Sequence, residues 1–349
     1  MSEVSGPGGG RGGSPRLVDV ARHAGVAMGT VSNVLNQPDK VTEGTRERVL
    51  GSIAALGFVP HRAARALAAG TSRTIGFVII DLGNSFFLDM ARGAEHEAQA
   101  AGLSVLLANS DIQAEKQRTY LDLFTEERVA GVLLAPLPHG DAEVDRLRQL
   151  GMHVVLLNAD ASGAACTVTT DNEHGGYLAA RHLIETGRRR LVFAGHPEMA
   201  VQVQDRYDGA RRAVAETNGA VSLDLLVTRE VQVGDGRQIG HEILAMPETE
   251  RPDGVVAAAD LLALGVIQTL LTDSSLRPPD DIAITGYDNN RSAWSSIVPI
   301  TTIDQPGEQM GATGTRLLLD EINRPDDHFH EHVHLKPRLI VRDSSVRSP

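Results

Sequence analysis

The sequence contains little of the chemistry that marks several large classes of protein. It has one cysteine, Cys166, among 349 residues, which excludes an internal disulfide framework and fits a reducing compartment. No apolar run reaches the roughly 18 residues of a membrane-spanning helix. The N-terminus is rich in glycine and lacks a charged start followed by an apolar core, so no secretory signal is expected. We therefore expect a cytoplasmic protein.

Common motifs of several enzyme classes are also absent. The chain has neither the G-x-x-x-x-G-K-[ST] pattern of a phosphate-binding loop nor the G-x-S-x-G pattern of a nucleophile elbow. The run 8–13 satisfies G-x-G-x-x-G, but no strand precedes it and no helix follows it, so it is not interpreted as a dinucleotide site. We expect no enzymatic activity and no cofactor.

Charge is distributed unevenly along the chain. Residues 1–70 contain eight Lys and Arg against five Asp and Glu, a net charge of +3, so the remainder carries −15 of the total of −12. A small basic head on an acidic body is typical of a protein that contacts nucleic acid, because neutralised phosphates release condensed counterions. The chain length suits two or three folding units.

The stretch 17–36 has the spacing of a helix-turn-helix. Apolar residues recur at intervals of three and four from 17 to 24 and again from 31 to 35, which predicts two short amphipathic helices. Ala21 is small enough to let the second helix approach, Gly25 tolerates a positive φ in the turn, and Val31 packs under both helices.

A third helix and a short basic segment follow. Thr42 is placed to cap a helix with Val49 on its inner face, and Gly57 ends that helix. Residues 60–70 form a short basic segment that is rich in helix formers but too brief to be stably helical alone, so we expect it to need a template. Residues 1–15 are rich in Gly, Ser and Pro and are expected to form a disordered tail.

Beyond residue 74 the periodicity changes. Nearly continuous apolar runs, as in buried parallel strands, alternate with amphipathic helical patterns. This alternation predicts a doubly wound α/β architecture. The expected strands are 74–80, 103–108, 131–135, 153–157, 190–194, 225–227, 254–259 and 282–287, and expected helices include 87–102, 113–128, 175–186 and 205–218.

Ten short runs, spread over nearly the whole chain, carry a family resemblance. They are 19–21, 24–26, 30–32, 34–36, 45–49, 56–60, 73–76, 84–87, 286–288 and 301–306. Together they closely resemble the lactose-repressor/galactose-repressor family of bacterial transcription regulators. The resemblance implies an all-α helix-turn-helix headpiece and a two-lobed α/β core with parallel sheets, of the type I periplasmic-binding-protein-like class.

The resemblance also implies domain boundaries. The headpiece would span 16–60, and a hinge helix and linker would span 61–73. The N-terminal lobe would contain 74–171 plus 305–327, and the C-terminal lobe 172–304 plus 328–345. The chain would cross between the lobes near Asp171, Asp304 and Asp327.

Effector-binding candidates follow the strands, because ligands of open parallel sheets bind beyond the carboxyl ends of the strands. The resemblance implies an apolar wall of two phenylalanines and polar side chains that line the interlobe cleft. This combination suits a sugar, since carboxylates and a guanidinium hydrogen-bond hydroxyls while an aromatic face covers C–H groups. The candidates are Ser85, Phe86, Phe87, Asn158, Arg206, Asp260 and Asp288.

Each of these assignments has a plainer alternative. Asp260 and Asp288 could only cap the following helices, the two phenylalanines could be core, and Arg206 could form a surface ion pair. The sequence also departs from the family, which usually has asparagine where Ala259 stands and commonly aspartate where Asn158 stands. The identity of the effector is therefore not transferred.

The resemblance places base-reading residues at the start of the second helix and one turn later. These positions hold Met28, Gly29 and Asn33, the last where arginine is usual. Asn33 suits adenine N6 and N7, or a phosphate, so the operator should differ from the common family pattern. Expected phosphate contacts are Arg22, Thr30, Ser32 and Arg62.

The second helix has a poor N-cap residue and a residue of low helix propensity. Ala27 stands where a capping serine is usual, and Gly29 costs about 1 kcal/mol in a helix interior. We therefore expect DNA to contribute to the order of this helix.

The hinge residues imply a symmetric assembly. Leu67 matches the leucine with which the family opens the minor groove, and Ala64 would allow two hinge helices to approach closely. The alternative is that Leu67 packs against the core. A homodimer is expected because each headpiece reads half a site, and a tetramer stays open although no heptad tail follows Arg342.

The run 328–334 has histidines at alternate positions, which on a strand would share one face and could bind a metal. We prefer a solvated connection or an edge strand here, and we interpret Cys166 as a buried small hydrophobe. No metal site is assigned.

The sequence therefore predicts a ligand-responsive repressor, located at the nucleoid, that binds palindromic double-stranded operator DNA and a small molecule, with no membrane partner. The alternative is a solute-binding or sugar-modifying α/β protein without DNA function.

Overall fold

The computed structural model describes residues 15–58, 72–137, 141–159, 163 and 165–346, apart from the side chains at positions 36 and 141. The chain divides into two compact units, with the boundary between residues 71 and 72. No helix among the described residues combines the length and the apolarity needed to cross a bilayer.

The first unit is helical. Its helices are α1 (Leu17–Ala24), α2 (Met28–Asn36) and α3 (Glu43–Leu56), with a 3₁₀ turn at Pro38–Lys40. They enclose a small core of Val20, Ala21, Ala24, Val31, Val34, Val49 and Phe58. The predicted helix-turn-helix is confirmed.

Local features of this unit follow the sequence closely. Gly25 ends α1 with φ +65° and Gly57 ends α3 with φ +61°, both in the left-handed region that glycine favours. Thr42 occupies the predicted N-cap position of α3, but its side chain makes no capping bond and instead donates to Thr45 Oγ1 at 3.1 Å. Ala27 at the start of α2 makes no side-chain capping bond either.

Several predictions concern segments outside the described residues. Positions 1–14 and 59–71 belong to this group, which includes most of the tail and hinge and the residues Arg62, Ala64 and Leu67. They stay predictions.

The second unit contains two α/β lobes. The N-terminal lobe has a parallel sheet of β1 (Thr74–Ile79), β2 (Ser104–Asn109), β3 (Val132–Leu134), β4 (Val154–Leu157), β5 (Cys166–Thr170) and β11 (His332–Leu335), in the order β11-β5-β4-β3-β1-β2. Its helices are α4 (Ser85–Ala100), α5 (Ala114–Glu126), α6 (Asp141–Gln149) and α12 (Gly307–Asn323).

The C-terminal lobe repeats this plan. Its sheet contains β6 (Arg190–Gly195), β7 (Ser222–Val227), β8 (Gly254–Ala257), β9 (Ala283–Asp288), β10 (Thr301–Asp304) and β12 (Arg338–Ile340), in the order β12-β10-β9-β8-β6-β7. Only the β10–β12 pairing is antiparallel in this sheet as described. Its helices are α7 (Asn172–Glu185), α8 (Val201–Ala215), α9 (Val233–Ala245), α10 (Asp260–Asp273) and α11 (Arg291–Ser295), and a 3₁₀ turn lies at Pro197–Met199.

One predicted boundary is wrong. The described chain crosses between the lobes after Thr170, after Asp304 and between Leu335 and Arg338, and not near Asp327. Residues 332–335 pair with β5 and therefore belong to the N-terminal lobe. The branched and apolar side chains of Val333 and Leu335 explain the placement, because both pack against the core of that lobe.

The predicted strands and helices overlap observed ones, with ends that differ by no more than four residues. The sequence pattern does not identify several elements, among them α10. Its residues are buried on most sides, so the helix lacks the amphipathic period on which the prediction depends.

Helices pack in pairs through glycines. A Cβ on Gly176 of α7 would lie 1.9 Å from Arg206 O of α8, and a Cβ on Gly209 of α8 would lie 1.9 Å from Glu173 O of α7. Gly93 and Gly311 join α4 to α12 in the same reciprocal way, and Gly236 and Gly265 join α9 to α10. These backbone contacts fix the helices that carry the polar residues described next.

Candidate functional site

A buried carboxylate lies where the two lobes meet. Asp288 ends β9, is 6% exposed, and accepts hydrogen bonds from Asn84 Nδ2 at 2.8 Å and Gln305 Nε2 at 2.7 Å. Its Oδ1 also lies 3.8 Å from Arg206 Nη1. Burial raises the pKa of Asp288, although the arginine charge and the two amide donors act in the opposite direction.

Arg206 is held at several points in the C-terminal lobe. Its Nε donates to Asn172 Oδ1 at 2.9 Å, its Nη1 donates to Ala258 O at 2.7 Å, and its guanidinium carbon lies 3.6 Å from the centre of the Tyr287 ring. The residue is 6% exposed. The surface ion pair considered as an alternative is therefore wrong, because the side chain is buried.

Asp260 is a second buried carboxylate, close to Asp288 in the C-terminal lobe. It is fully buried at the first residue of α10, and its Oδ2 accepts the Asn290 N–H at 2.8 Å. Burial raises the pKa of Asp260 well above its ordinary range, and the negative charge of the neighbouring Asp288 is the second-largest cause of the increase. A Cβ on Gly286 would lie 2.2 Å from Asp260 Oδ1, so the absence of a side chain there makes room for the carboxylate.

The capping alternative fails for both aspartates. Ala259 occupies the N-cap of α10, with no side-chain capping bond, and Asn290 caps α11 through its own side chain. Asp260 and Asp288 therefore have other roles in the lobe.

In the N-terminal lobe, the residues that contact the other lobe here lie at the start of α4. Asn84 caps this helix by accepting the Phe86 N–H at 3.1 Å, and Ser85 Oγ accepts the Arg291 N–H of the other lobe at 2.8 Å. Phe86 and Phe87 are 3% and 7% exposed and pack within the core of their lobe, with ring centres 5.4 Å apart.

Other contacts also bridge the lobes. Gln232 Nε2 donates to Asp81 Oδ2 at 2.9 Å, and Gln202 Nε2 donates to Asn158 O at 2.5 Å. Together with the Asn84 and Ser85 bonds, they link the two lobes across the interface.

A cavity of about 780 Å³ lies between the lobes. Of the predicted effector residues, Asn158 lines it, whereas the phenylalanines and the Arg206, Asp260 and Asp288 group do not. Asn158 has φ +57°, and its Oδ1 is buried without a hydrogen-bond partner among the described residues. Thr170 also lines the cavity, and its Oγ1 is likewise buried and unpartnered there.

Sequence reasoning missed several members of this site. Asn84 and Gln305 bind the Asp288 carboxylate, and Asn172 and Asn290 position Arg206 and Asp260. Both Asn84 and Gln305 lie in the runs that carry the family resemblance, and Asn84 stands before a helix, where a capping residue is expected. Those signals were available, but the partner of each amide depends on the folded chain.

The first unit presents a separate exposed surface on α2. Met28 is 53% exposed, and Gly29 and Asn33 are also exposed, while Thr30 and Ser32 are half-buried. The side chain of Arg22 on α1 is 78% exposed and lies 3.5 Å from Asp19. The six described DNA-contact candidates are thus accessible from outside the small core.

A helix-turn-helix unit followed by two α/β lobes with a cavity between them defines a class of DNA-binding regulators with a ligand-binding domain. Residues 16–61 match the family model of bacterial regulatory proteins of the lacI family, and residues 180–345 match that of a periplasmic binding protein-like domain. The chain belongs to the LacI family of bacterial transcription regulators.

Named relatives agree with this placement. The HTH-type transcriptional regulator RegA of Clostridium saccharobutylicum is 32% identical over 332 residues, which cover 95% of this chain and 99% of RegA. The regulator CelR in complex with cellobiose has a TM-score of 0.70 and 29% identity, and the match covers 95% of this chain and 100% of CelR. The lac repressor dimer bound to operator and the anti-inducer ONPF has a TM-score of 0.80 and 25% identity, covering 96% and 100%. The relatives are transcriptional regulators and not enzymes.

Proposed function

We propose that this regulator is a repressor that binds a palindromic operator as a homodimer at the bacterial nucleoid. Its proposed effector is a sugar or sugar derivative bound between the lobes. The observation that carries the proposal is the interlobe contact set, in which Asn84 and Ser85 of one lobe bind Asp288 and Arg291 of the other. A ligand that changes these contacts changes the relative positions of the lobes.

The cavity supports a polar effector. It has room for a small sugar, and Asn158 Oδ1 and Thr170 Oγ1 lack described hydrogen-bond partners. Sugar hydroxyls both donate and accept, so they can supply partners to an amide oxygen and to a threonine hydroxyl. The cellobiose complex of CelR supports the same ligand class.

The remaining effector candidates would act when the lobes separate. Arg206 and Asp288 are bound to protein groups in the arrangement that the structure describes. Release of the Asn84 amide would leave a carboxylate oxygen of Asp288 able to accept from a sugar hydroxyl. We propose that the buried side chains of Phe86, Phe87 and Asp260 do not contact the effector directly but position the residues that do.

The DNA contacts follow from the exposed surface of α2. Met28, Gly29 and Asn33 are proposed to meet base edges, and the hydroxyls of Thr30 and Ser32 to meet phosphates together with Arg22. Arg62, Ala64 and Leu67 are proposed to form the hinge that contacts the minor groove.

Edge strands support a homodimer. β2 and β7 each end their sheets, and their exposed apolar residues are Leu106, Leu107 and Val227, at 44%, 43% and 55% exposure. Uncovered apolar edge strands favour association, and doubling the headpieces converts weak binding to half a site into specific binding. The lac repressor dimer supports the same assembly.

Selection from a random duplex library, followed by fluorescence anisotropy, tests the DNA part. We expect a two-fold symmetric consensus and one dimer per site. A titration with individual sugars should then shift both the DNA affinity and the melting temperature, because a bound ligand stabilises the folded chain by mass action. Failure to retain any duplex at moderate salt, with or without sugars, would contradict the repressor proposal and favour a plain solute-binding protein.

A further inference from the structure

Three potential metal ligands converge at one end of β5. Cys166 Sγ lies 3.2 Å from His328 Nε2 and 3.8 Å from His330 Nδ1, and the three atoms lie within 4.8 Å of one another. Cys166 is the first residue of β5, whereas Thr170, at the other end of that strand, lines the interlobe cavity. The cluster is therefore separate from the proposed effector site.

The spacing suits a tetrahedral ion. With Zn–S of about 2.3 Å, Zn–N of about 2.0–2.1 Å and tetrahedral angles, the sulfur and nitrogen ligands of one zinc ion lie about 3.6 Å apart. The two observed S···N distances lie on either side of this value. A thiolate with two imidazoles is a ligand set that zinc accepts, and it leaves a fourth position for water.

Neighbouring groups orient the ligands as in known metal sites. Asp320 Oδ2 lies 2.8 Å from His328 Nδ1, so the carboxylate holds the imidazole with Nε2 directed at the sulfur. The backbone N–H of Glu331 donates to Cys166 Sγ at 3.2 Å, which favours the thiolate. The side chain of His328 is only 2% exposed, although histidine is usually at least partly exposed.

The electrostatics near the cluster favour a cation. Glu321 Oε2 is buried without a hydrogen-bond partner among the described residues, and the negative charge of this carboxylate acts on both Cys166 and His330. An ion that binds Cys166 Sγ has to displace the thiol proton.

One contact has to change when an ion binds. Arg148 Nη2 lies 3.4 Å from His330 Nε2. An ion on Nδ1 requires a proton on Nε2, and two donors would then face each other. Arg148 is exposed and can turn to solvent.

We propose that Cys166, His328 and His330 form a zinc-type metal site that ties the segment before β11 to the start of β5. This replaces the interpretation of Cys166 as a plain buried hydrophobe. The alternating histidines do not form one strand face, because β11 begins at His332. Instead, His332 and His334 are exposed and contact the Thr167 and Thr169 hydroxyls at 2.9 Å each.

Cobalt substitution tests the proposal on the full-length, reduced protein after treatment with a chelator. One equivalent of Co²⁺ should give a thiolate-to-cobalt charge-transfer band and the visible bands of tetrahedral cobalt, and Zn²⁺ should remove both. Cys166→Ser should abolish the charge-transfer band. Asp320→Asn should weaken Co²⁺ binding by about tenfold to hundredfold, because this carboxylate orients a ligand.

The matched control is the double variant His332→Asn/His334→Asn, which removes the exposed histidines and should keep both the band and the affinity. The proposal is overturned if wild type gives no charge-transfer band, if the band survives Cys166→Ser, or if only the control variant loses it. A second measurement, on the wild-type chain, tests the site even if Cys166→Ser folds poorly. Zn²⁺ should slow alkylation of the only thiol in the wild-type chain, and an unchanged rate also overturns the site.

Discussion

Asn84 Nδ2 donates a 2.8 Å hydrogen bond to Asp288 Oδ2, across 204 positions of sequence and from one lobe to the other. The same asparagine accepts the Phe86 N–H and so begins α4. One side chain therefore links helix initiation in the N-terminal lobe to the buried carboxylate of the C-terminal lobe.

Substitution of Asn84 should separate these two roles. Asn84→Ser keeps an oxygen that can cap α4 but removes the amide donor to Asp288. We expect the free energy of unfolding to fall by about 1–3 kcal/mol, because the buried carboxylate loses a donor. Urea denaturation measures this loss, and small-angle scattering should show a larger radius of gyration. Asn109→Ser, at the last residue of β2, where the side chain accepts a hydrogen bond from the Asp111 N–H, should change neither quantity. Equal losses in both variants would contradict the role of the Asn84–Asp288 bond.

The raised pKa of Asp260 predicts that ionisation of this carboxyl group lowers the free energy of unfolding as the pH rises. The folded chain binds the Asp260 proton more tightly than the unfolded chain, so wild type should lose stability relative to Asp260→Asn as the pH rises above the ordinary carboxyl value of 3.8. Below that value the difference should no longer change with pH. Denaturation at a series of pH values measures it.

Asp273→Asn is the control for this series. A hydrogen bond from His241 lowers the pKa of Asp273 below 3.8, so this carboxylate contributes stability at higher pH that is lost as the pH falls through its folded pKa. The two variants should therefore differ from wild type with opposite signs. The same sign for both would show that Asp260 is not held neutral by burial.

Asn33 should carry sequence information. Asn33→Ala is expected to weaken binding by about 1–3 kcal/mol at one operator position and to relax the base preference there. Arg22→Ala should weaken all sequences about equally and reduce the salt dependence, because a phosphate contact carries no base preference. Binding to a library of single-base operator variants distinguishes the two, and uniform losses for Asn33→Ala would refute base reading.

The glycine contacts predict a sharp contrast between two alanine substitutions. Gly209→Ala places a Cβ 1.9 Å from Glu173 O, and we expect a loss of about 1–3 kcal/mol or more because α7 and α8 must move apart. Gly234→Ala in α9 meets nothing within 4 Å and should gain up to about 1 kcal/mol through helix propensity. Thermal and urea denaturation compare them, and a neutral Gly209→Ala would show that the helix contact is looser than described.

The sequence was most informative where local physics decides the structure. The sizes of Ala21, Gly25 and Val31 are sufficient to predict the helix-turn-helix, because each is required by a turn or a close contact within 15 residues. The strands of the lobes were likewise predictable from apolar runs. The sequence misplaces the last crossing because the polar run 324–331 resembles a linker, while the pairing of His332–Leu335 with β5 depends on contacts that are distant in sequence.

The sequence is sufficient to select candidate residues for the site, but it does not predict which of them contact each other. The rule that ligands bind beyond strand ends selected Asn158, Asp260 and Asp288, and the structure places these residues near the interface of the lobes. The rule does not say which polar groups will bind each other, since Arg206 finds partners on three different elements. The approach of His328 and His330 to Cys166, more than 160 positions away, has the same origin.

The last crossing between the lobes limits how they can move. Only Lys336 and Pro337 separate β11 of one sheet from β12 of the other. Three Cα–Cα steps of 3.8 Å reach at most about 11 Å, so the lobes cannot slide apart at this point. We therefore expect any opening of the proposed effector cavity to be a rotation about the three crossings, with the cavity widening on the side farthest from them.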